Sequence, residues 1–293
     1  MSGGPGSGHP VTVGFVGAGR IGLPMVTRLV EAGHRVRVAD RSGRARVALT
    51  ALGAQSFTDP ARAAENADVV ALCVYTDEQV REAALESGLL DAMPTGSVLV
   101  VHTTGSPATV ARLAERSRPR GIEVVDAPIS GGPHDIAAGR VTLYAGATEE
   151  GLNRARPALR AYGEPILHCG PPGSGQLVKL VNNAVFAANL GVITAAARLA
   201  EELGLEEGPV LTGLRHGSGD SRALAGVAAR GSAAVFARDV GEFVGKDVAV
   251  VREVAWQQGA GLGLLSDAHR VLGDLLAPAH RAQLLGTADA GGH

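Results

Sequence analysis

Apolar positions follow two rhythms along this chain, and the change from one to the other divides it. Through about residue 172, short β-branched runs alternate with amphipathic segments. Val11–Val16 (VTVGFV), HRVRVAD ending at Asp40, DVVALCV over 68–74, GSVLVVH over 96–102 and GIEVVDA over 121–127 each have the length and composition of a strand. Helical patterns lie between them. One runs from Leu23 to Val30 and stops at Gly33; others begin near Asp59–Pro60, Asp77 and Ser106–Pro107, each with a capping residue or an early proline. Strands alternating with helices of this length predict parallel βαβ units.

The second rhythm begins at Gly173. From there through Ala197 the chain reads as one apolar helix in which Lys179 is the only charge, with Asn182 and Asn183 one turn further on. A helix apolar all round is expected to be buried on most sides. Its longest apolar run, around 184–197, is short for a bilayer span of about 20 residues. A core helix of a soluble domain is the expectation. No internal repeat is visible.

Composition narrows the classes. A length of 293 residues suits two domains of about 150 each, and 45% hydrophobic with 19% charged residues is ordinary for a soluble chain with a core. A net charge of −2 offers no basic field for nucleic acid or an anionic membrane. Two cysteines, Cys73 and Cys169, make neither a disulfide framework nor a metal knuckle, which fits a reducing, cytoplasmic setting. Neither Cys-x-x-Cys nor His-Glu-x-x-His occurs, so no metal site is expected. Residues 1–10 (MSGGPGSGHP) lack a signal-peptide core and read as a flexible tail; the end, LLGTADAGGH, reads as frayed.

Three segments carry candidate chemistry. The first is the turn Gly17-Ala18-Gly19-Arg20-Ile21-Gly22, which follows a strand and opens a helix, with Asp40 eighteen residues beyond Gly22. Its glycines permit a tight turn and a close approach of backbone N–H groups to a pyrophosphate, while Asp40 is placed to accept from ribose hydroxyls. A carboxylate at Asp40 repels a 2′-phosphate and favours NAD; Arg41, beside it, can pair with that phosphate and keeps NADP open. A methyltransferase also uses such a turn, and this segment alone leaves that reading standing. The second segment is the loop Ser130-Gly131-Gly132, after the strand that ends near Asp126, whose hydroxyl and N–H groups can form a nest for a carboxylate. The third is the start of the apolar helix. Lys179 and Asn183, four residues apart, share a face. The helix dipole and desolvation both favour the neutral amine of Lys179, which suits a group that exchanges a proton near neutral pH.

Taken in order, VGFVGAGRIGLPM, DAPISGG, GSGQLVKLVNN and KDVAVVREVA (246–255) make the chain resemble the β-hydroxyacid dehydrogenases, the family of 3-hydroxyisobutyrate dehydrogenase and tartronate semialdehyde reductase. The resemblance covers residues 11 to about 275. It implies an α/β fold: a doubly wound Rossmann-type N-terminal domain over 11–172, then an all-helical C-terminal substrate and oligomerisation domain over 173–293, joined by a long helix from about Ser174 to Gly204. It also implies hydride transfer between NAD(P) and a short 3-hydroxy acid. Ser130, Gly131 and Gly132 match the substrate-carboxylate positions, Lys179 the acid/base, Asn183 the orienting amide and Lys246 a contact near the nicotinamide. Thr103, in TTGSP, stands where the family has a serine beside the cofactor.

The sequence departs from the family in two places. VVHTTG has Val101 and His102 where relatives often carry an acid, and the final helix lacks an Asp-Ser pair. In RHGSGDSRAL, His216 and Ser218 lie where the family closes its pocket and could touch substrate, although a plain Gly-rich interhelical loop is the simpler account of them. A homodimer or homotetramer is implied by the family. An imine reductase and a non-catalytic dinucleotide-binding module share the architecture but usually lack the lysine. A phosphogluconate-type decarboxylating enzyme needs a larger helical domain. The methyltransferase reading leaves the segments around Ser130, Lys179 and Lys246 without a use.

Overall fold

Alternation along the strands sorts their side chains onto two faces, and both faces are covered. The structure, a computed structural model, describes residues 9–276 together with 281, 284 and 285. The flexible tail and the frayed end expected at the two termini lie largely outside the described residues. In β1 (Thr12–Val16), Val13 and Phe15 join one apolar cluster while Val16 joins the other. Val69 and Ala71 of β4 (Val69–Leu72) and Val98 and Val100 of β5 (Val98–Val101) go with Phe15. Val70, Leu72, Leu99 and Val101 go with Val16. Strands apolar on both sides require helices on both sides, which is why these runs read as continuous apolar stretches.

The remaining strands are β2 (Arg35–Ala39), β3 (Gln55–Phe57), β6 (Glu123–Asp126), β7 (Ile129–Ser130), β8 (Val141–Gly146) and β9 (Gly163–Gly170). The order β3-β2-β1-β4-β5-β6 is parallel throughout. Its direction of winding reverses between β1 and β4, the switch point at which ligands bind beyond the carboxyl ends of strands. The expectation of parallel units alone was incomplete. β8 runs antiparallel to β6 and β7, and β9 then pairs with β8 in parallel. The link between β7 and β8, residues 131–140, is shorter than the dozen or so that a parallel crossover needs, so the chain returns in the opposite sense.

His102, at the carboxyl end of β5, is a core residue. It is 3% exposed; Nδ1 meets the Ala127 carbonyl at 2.7 Å and Nε2 the Tyr162 hydroxyl at 2.8 Å. Those partners fit a neutral ring donating from Nδ1 and accepting from Tyr162. Burial pushes its pKa down to about 4.

Contacts divide the chain into two compact units, Met1–Lys179 and Leu180–His293. The second is helical among its described residues. It comprises the later turns of the helix Ser174–Glu202 and the helices Glu207–His216, Arg222–Arg230, Ala233–Gln257 and Leu264–Gly273. At Gly191 a Cβ would collide with the Ala268 carbonyl, so two of these helices touch backbone to backbone. Buried His269 seals the same contact by meeting the Ala184 carbonyl at 2.9 Å.

The helix Ser174–Glu202 is long and apolar enough to cross a bilayer, yet half of its most apolar stretch is buried inside the protein. Burial on most sides was expected, and in the single chain part of the helix surface stays open. Val178, Val181, Val185, Val192 and Leu199 stay exposed, with Val181 and Val192 the most open of the five at 63% and 60%.

Tyr162→Phe leaves a buried ring nitrogen of His102 unpaired, and urea unfolding at pH 7 is expected to show a loss of about 1–3 kcal/mol. His102 stays uncharged in the fold while its unfolded counterpart takes a proton, so its contribution is full above about pH 6.5 and is lost as pH falls toward 4. The stability of wild type relative to His102→Gln should shrink over that window; a constant difference would contradict the assignment.

Candidate active site

The three glycines of the first turn are needed for different reasons. Gly17 has φ +95°, and a Cβ there would strike the Cys73 carbonyl. A Cβ on Gly22 would strike the Gly17 carbonyl and stand 2.9 Å from the Phe15 ring, so the helix Gly22–Glu31 rests directly on β1. Gly19 is unlike both, since a Cβ there would meet no protein atom within 4 Å. Packing does not explain that glycine, whereas the approach of a dinucleotide's pyrophosphate does. Ala18 is buried beside it, and Arg20 is exposed at the mouth of the turn.

Asp40 follows β2 on the same edge of the sheet. Its Oδ1 accepts from the Ser42 N–H at 2.8 Å, which aims the carboxylate, and Ser42 in turn caps the helix Gly43–Ala51. Arg46 donates to the carbonyls of Asp40 and Arg41 at 2.9 and 3.0 Å. Arg46 therefore braces the loop, and Arg41 remains the exposed cation beside the carboxylate.

Thr103 follows β5. Its hydroxyl donates to the Val74 carbonyl at 2.9 Å and accepts the Val74 N–H at 3.1 Å, tying together the loops after β4 and β5. At the end of β7, Ser130 is half-buried and Gly131 has φ +133°. The Gly132 N–H donates to Asp135 at 2.9 Å, so it caps the next helix rather than adding to the nest expected of this loop. A Cβ on Gly132 would meet nothing within 4 Å, leaving room at that face of the loop.

The start of the lysine helix is anchored by residues that motif reading passed over. Asp126, 0% exposed at the end of β6, accepts from the Gly173 N–H at 2.6 Å and the Gln176 N–H at 2.7 Å. It acts as an N-cap supplied from a distant strand. Burial is the larger influence on this carboxyl and pushes its pKa up to about 6, against the pull of the N–H groups that face it. The Gln176 side chain, itself buried, donates to the Thr103 carbonyl at 2.8 Å and accepts the Gly105 N–H at 3.0 Å. Their sequence signals were a polar residue inside an apolar helix and an acid ending a strand.

Lys179 comes one turn after Gln176 and is half-buried. A second signal sets it apart. Of 27 basic residues, lysine occurs at 179 and 246 alone and the other 25 are arginine. A chain that uses arginine wherever positive charge suffices keeps lysine where a guanidinium does not serve, and an amine that can lose its proton is one such need.

Within the second unit, Asn183 donates to Asp247 Oδ2 at 2.7 Å and accepts from Asn182 at 3.1 Å. Lys246 pairs with Asp247 Oδ1 at 2.7 Å. Asp247 thus gathers Asn183 and Lys246 into one network. His216 and Ser218 are both exposed, one ending a helix and the other in the connection to the next.

Comparison with known proteins covers both units. Residues 12–170 match the NAD-binding domain of 6-phosphogluconate dehydrogenase, and residues 173–288 match the NAD-binding domain of NADP-dependent 3-hydroxyisobutyrate dehydrogenase. The chain is 34% identical over 213 residues to an NAD-dependent L-serine dehydrogenase of Pseudomonas aeruginosa, covering 72% of each. It is also 34% identical over 197 residues to a 3-hydroxyisobutyrate dehydrogenase of that organism, covering 67% of this chain and 65% of the relative. A solved 3-hydroxyisobutyrate dehydrogenase of Mycobacterium tuberculosis with L-serine superposes with TM-score 0.83 at 28% identity, over 96% of this chain and 100% of that one.

Gly19→Leu and Gly22→Ala separate ligand space from packing space. Gly19→Leu should keep the thermal midpoint while reduced-dinucleotide binding, read by fluorescence, weakens at least about tenfold because a side chain fills the space of the pyrophosphate. Gly22→Ala should instead lose about 1–3 kcal/mol in urea unfolding, because backbone must move.

Proposed function

The chain belongs to the β-hydroxyacid dehydrogenase family, and we propose that within it this NAD(P)-dependent hydroxyacid dehydrogenase acts on a short 3-hydroxy acid of the 3-hydroxyisobutyrate type. The product is the corresponding semialdehyde or 3-oxo acid, and the reverse reaction runs through the same groups. The observation that carries the reading is Lys179, an ionisable amine one turn into a helix whose start is bonded to the loop after β5. The relatives' named substrates, L-serine and 3-hydroxyisobutyrate, share a carboxylate and a primary hydroxyl on the third carbon. They differ in the group on the second carbon.

In this reading the Ser130 hydroxyl and the Gly131 N–H hold the substrate carboxylate, with the open face of Gly132 giving it room. Neutral Lys179 takes the hydroxyl proton during oxidation and, protonated, returns it during reduction. Asn183, four residues on and held by Asp247, orients the hydroxyl beside the amine. Lys246 is assigned to the nicotinamide end from the match of its segment to the family. Bound nicotinamide supplies the hydride chemistry. Holding carboxylate and hydroxyl at two fixed points provides the positioning on which the rate depends.

We assign NAD as the preferred nucleotide. The Asp40 carboxylate, aimed by Ser42, favours ribose hydroxyls and repels a 2′-phosphate, while Arg46 is occupied with backbone carbonyls. The setting we infer is cytoplasmic, in keeping with two free cysteines.

We further propose a homodimer or homotetramer. The exposed residues Val178, Val181, Val185, Val192 and Leu199 recur at spacings of 3, 4, 7 and 7, the seam of a helix that packs against another helix. A second copy presents the same seam and satisfies both.

One assay tests the chemistry. Wild type, Lys179→Ala, Lys179→Arg and Asp40→Ala are given 3-hydroxyisobutyrate, L-serine and 3-hydroxypropionate with NAD and with NADP, and reduced-nicotinamide formation is followed. Both lysine variants should lose at least about 100-fold in kcat, the size of a general acid–base contribution, with nucleotide binding retained. Asp40→Ala should raise the NADP/NAD ratio of kcat/KM by about tenfold or more, equivalent to about 1.4 kcal/mol. Full activity in Lys179→Arg would end the proton-carrier assignment.

Sedimentation tests the assembly. Val181→Glu with Val192→Glu should lower the sedimenting mass of wild type to that of a single chain. A wild type that is already a single chain would overturn the proposal.

A further inference from the structure

Gln176 and Asp126 do more than close a helix end, because their four hydrogen bonds join three separately encoded parts of the site. Asp126 ends β6, four residues before the Ser130 loop, and its two oxygens take the N–H groups of Gly173 and Gln176. There is no slack around it. A Cβ on Gly146 would run into Asp126 Oδ1, and one on Gly175 would run into the Tyr144 carbonyl and stand 2.8 Å from Asp126. Gln176 then reaches the opposite way, with one end of its amide on the Thr103 carbonyl and the other on the Gly105 N–H. That amide has one orientation, since its NH2 faces an acceptor and its oxygen faces a donor. The loop it grips is held from behind as well. Thr103 is clamped to Val74; Asp77 takes the Ser106 N–H at 3.1 Å and the Thr109 hydroxyl at 2.5 Å.

Building on the acid/base role given to Lys179 above, we propose that Gln176 and Asp126 are positioning residues. They set where Lys179 stands relative to the cofactor-side loop 103–107 and the substrate-side loop 130–132. Neither touches the reacting atoms in this reading. A helix free at its start can slide or tilt by an ångström, and a misplacement of that size costs about 100-fold in rate. One buried side chain, bonded to the backbone on both sides of Thr104, removes that freedom. Asp126 fixes the same helix turn to the strand that leads to Ser130.

The test uses the intact chain and the fact that it contains two lysines. Labelling with [ε-13C]lysine gives two side-chain signals, assigned with Lys246→Arg. Gln176→Leu should move the Lys179 signal and leave Lys246 in place, while kcat falls about 100-fold with substrate KM changed less than about threefold. Gln176→Glu supplies a second, pH-dependent reading. A protonated carboxyl donates to the Thr103 carbonyl and accepts from Gly105 as the amide does, but an ionised one meets that carbonyl with no proton. The charged groups around it are Asp126 from β6, Asp77 behind the loop with its partner Arg81, and Lys179 one turn on. The two acids favour protonation at this position. Reductive activity of Gln176→Glu relative to wild type at the same pH should therefore rise as pH falls.

Gln176→Leu with kcat within about twofold of wild type and an unmoved Lys179 signal would overturn the proposal, as would a flat pH ratio for Gln176→Glu. If Gln176→Leu does not fold, the pH ratio decides. If wild type turns over no hydroxy acid, the substrate reading fails separately, and the two lysine signals still decide whether Gln176 positions Lys179.

Discussion

A buried carboxylate at the start of one helix is the constraint on which the rest of the first unit depends. Asp126 has no exposed surface, and an unpaired charge in that position would be very costly. It is tolerable because two N–H groups at a helix start converge on it, where the helix dipole also favours a negative charge. The arrangement dictates its neighbours. Gly146 and Gly175 have no room for a side chain, and Gln176 must enter the helix at the one place from which its amide reaches the loop after β5. The strand that leads to Ser130, the helix that carries Lys179 and the loop beginning at Thr103 are therefore parts of one bonded assembly.

The same economy appears in the charges. Arginine serves wherever a fixed cation is enough: Arg46 braces the Asp40 loop through carbonyls, and Arg28 reaches the Ala161 carbonyl at 3.0 Å. Lysine is confined to two places, each inside a segment that matches the family. His102 shows the opposite use of an ionisable group. Locked between Ala127 and Tyr162 and held neutral by burial, it fills the core as a polar strut, and its place at a strand end beside the cofactor loops gives it no part in the chemistry described.

Much of this was legible because certain residues have few other uses. Gly17, Gly19 and Gly22 followed by Asp40 point to a dinucleotide, and the structure separates their reasons: two glycines for packing and one for space. Lys179 stood out as a charge in an apolar helix. Other features were hidden. β9 has mostly exposed or half-exposed positions and mixed composition, so no apolar rhythm announced it. β8 does alternate, with Val141, Leu143 and Ala145 buried, but nothing in that short run gives its direction, and the antiparallel return was missed. The three N–H groups expected to cradle a carboxylate became fewer once Asp135 claimed that of Gly132, a contact that depends on how the next helix begins.

What the sequence by itself determined is the local and periodic: strands apolar on both faces, a glycine turn after the first of them, a long apolar helix and the residue types able to bind a nucleotide and move a proton. Backbone sterics and side-chain chemistry are properties of neighbouring residues, so they can be read from neighbours. Tertiary structure alone decided which distant groups met. Asp126 caps a helix that begins 48 residues later, Gln176 grips a loop about 70 residues earlier, and Asp247 holds Asn183 across 64 residues. Such pairings follow from the packing of whole elements, in which each buried polar atom must find a partner wherever the fold brings one within reach.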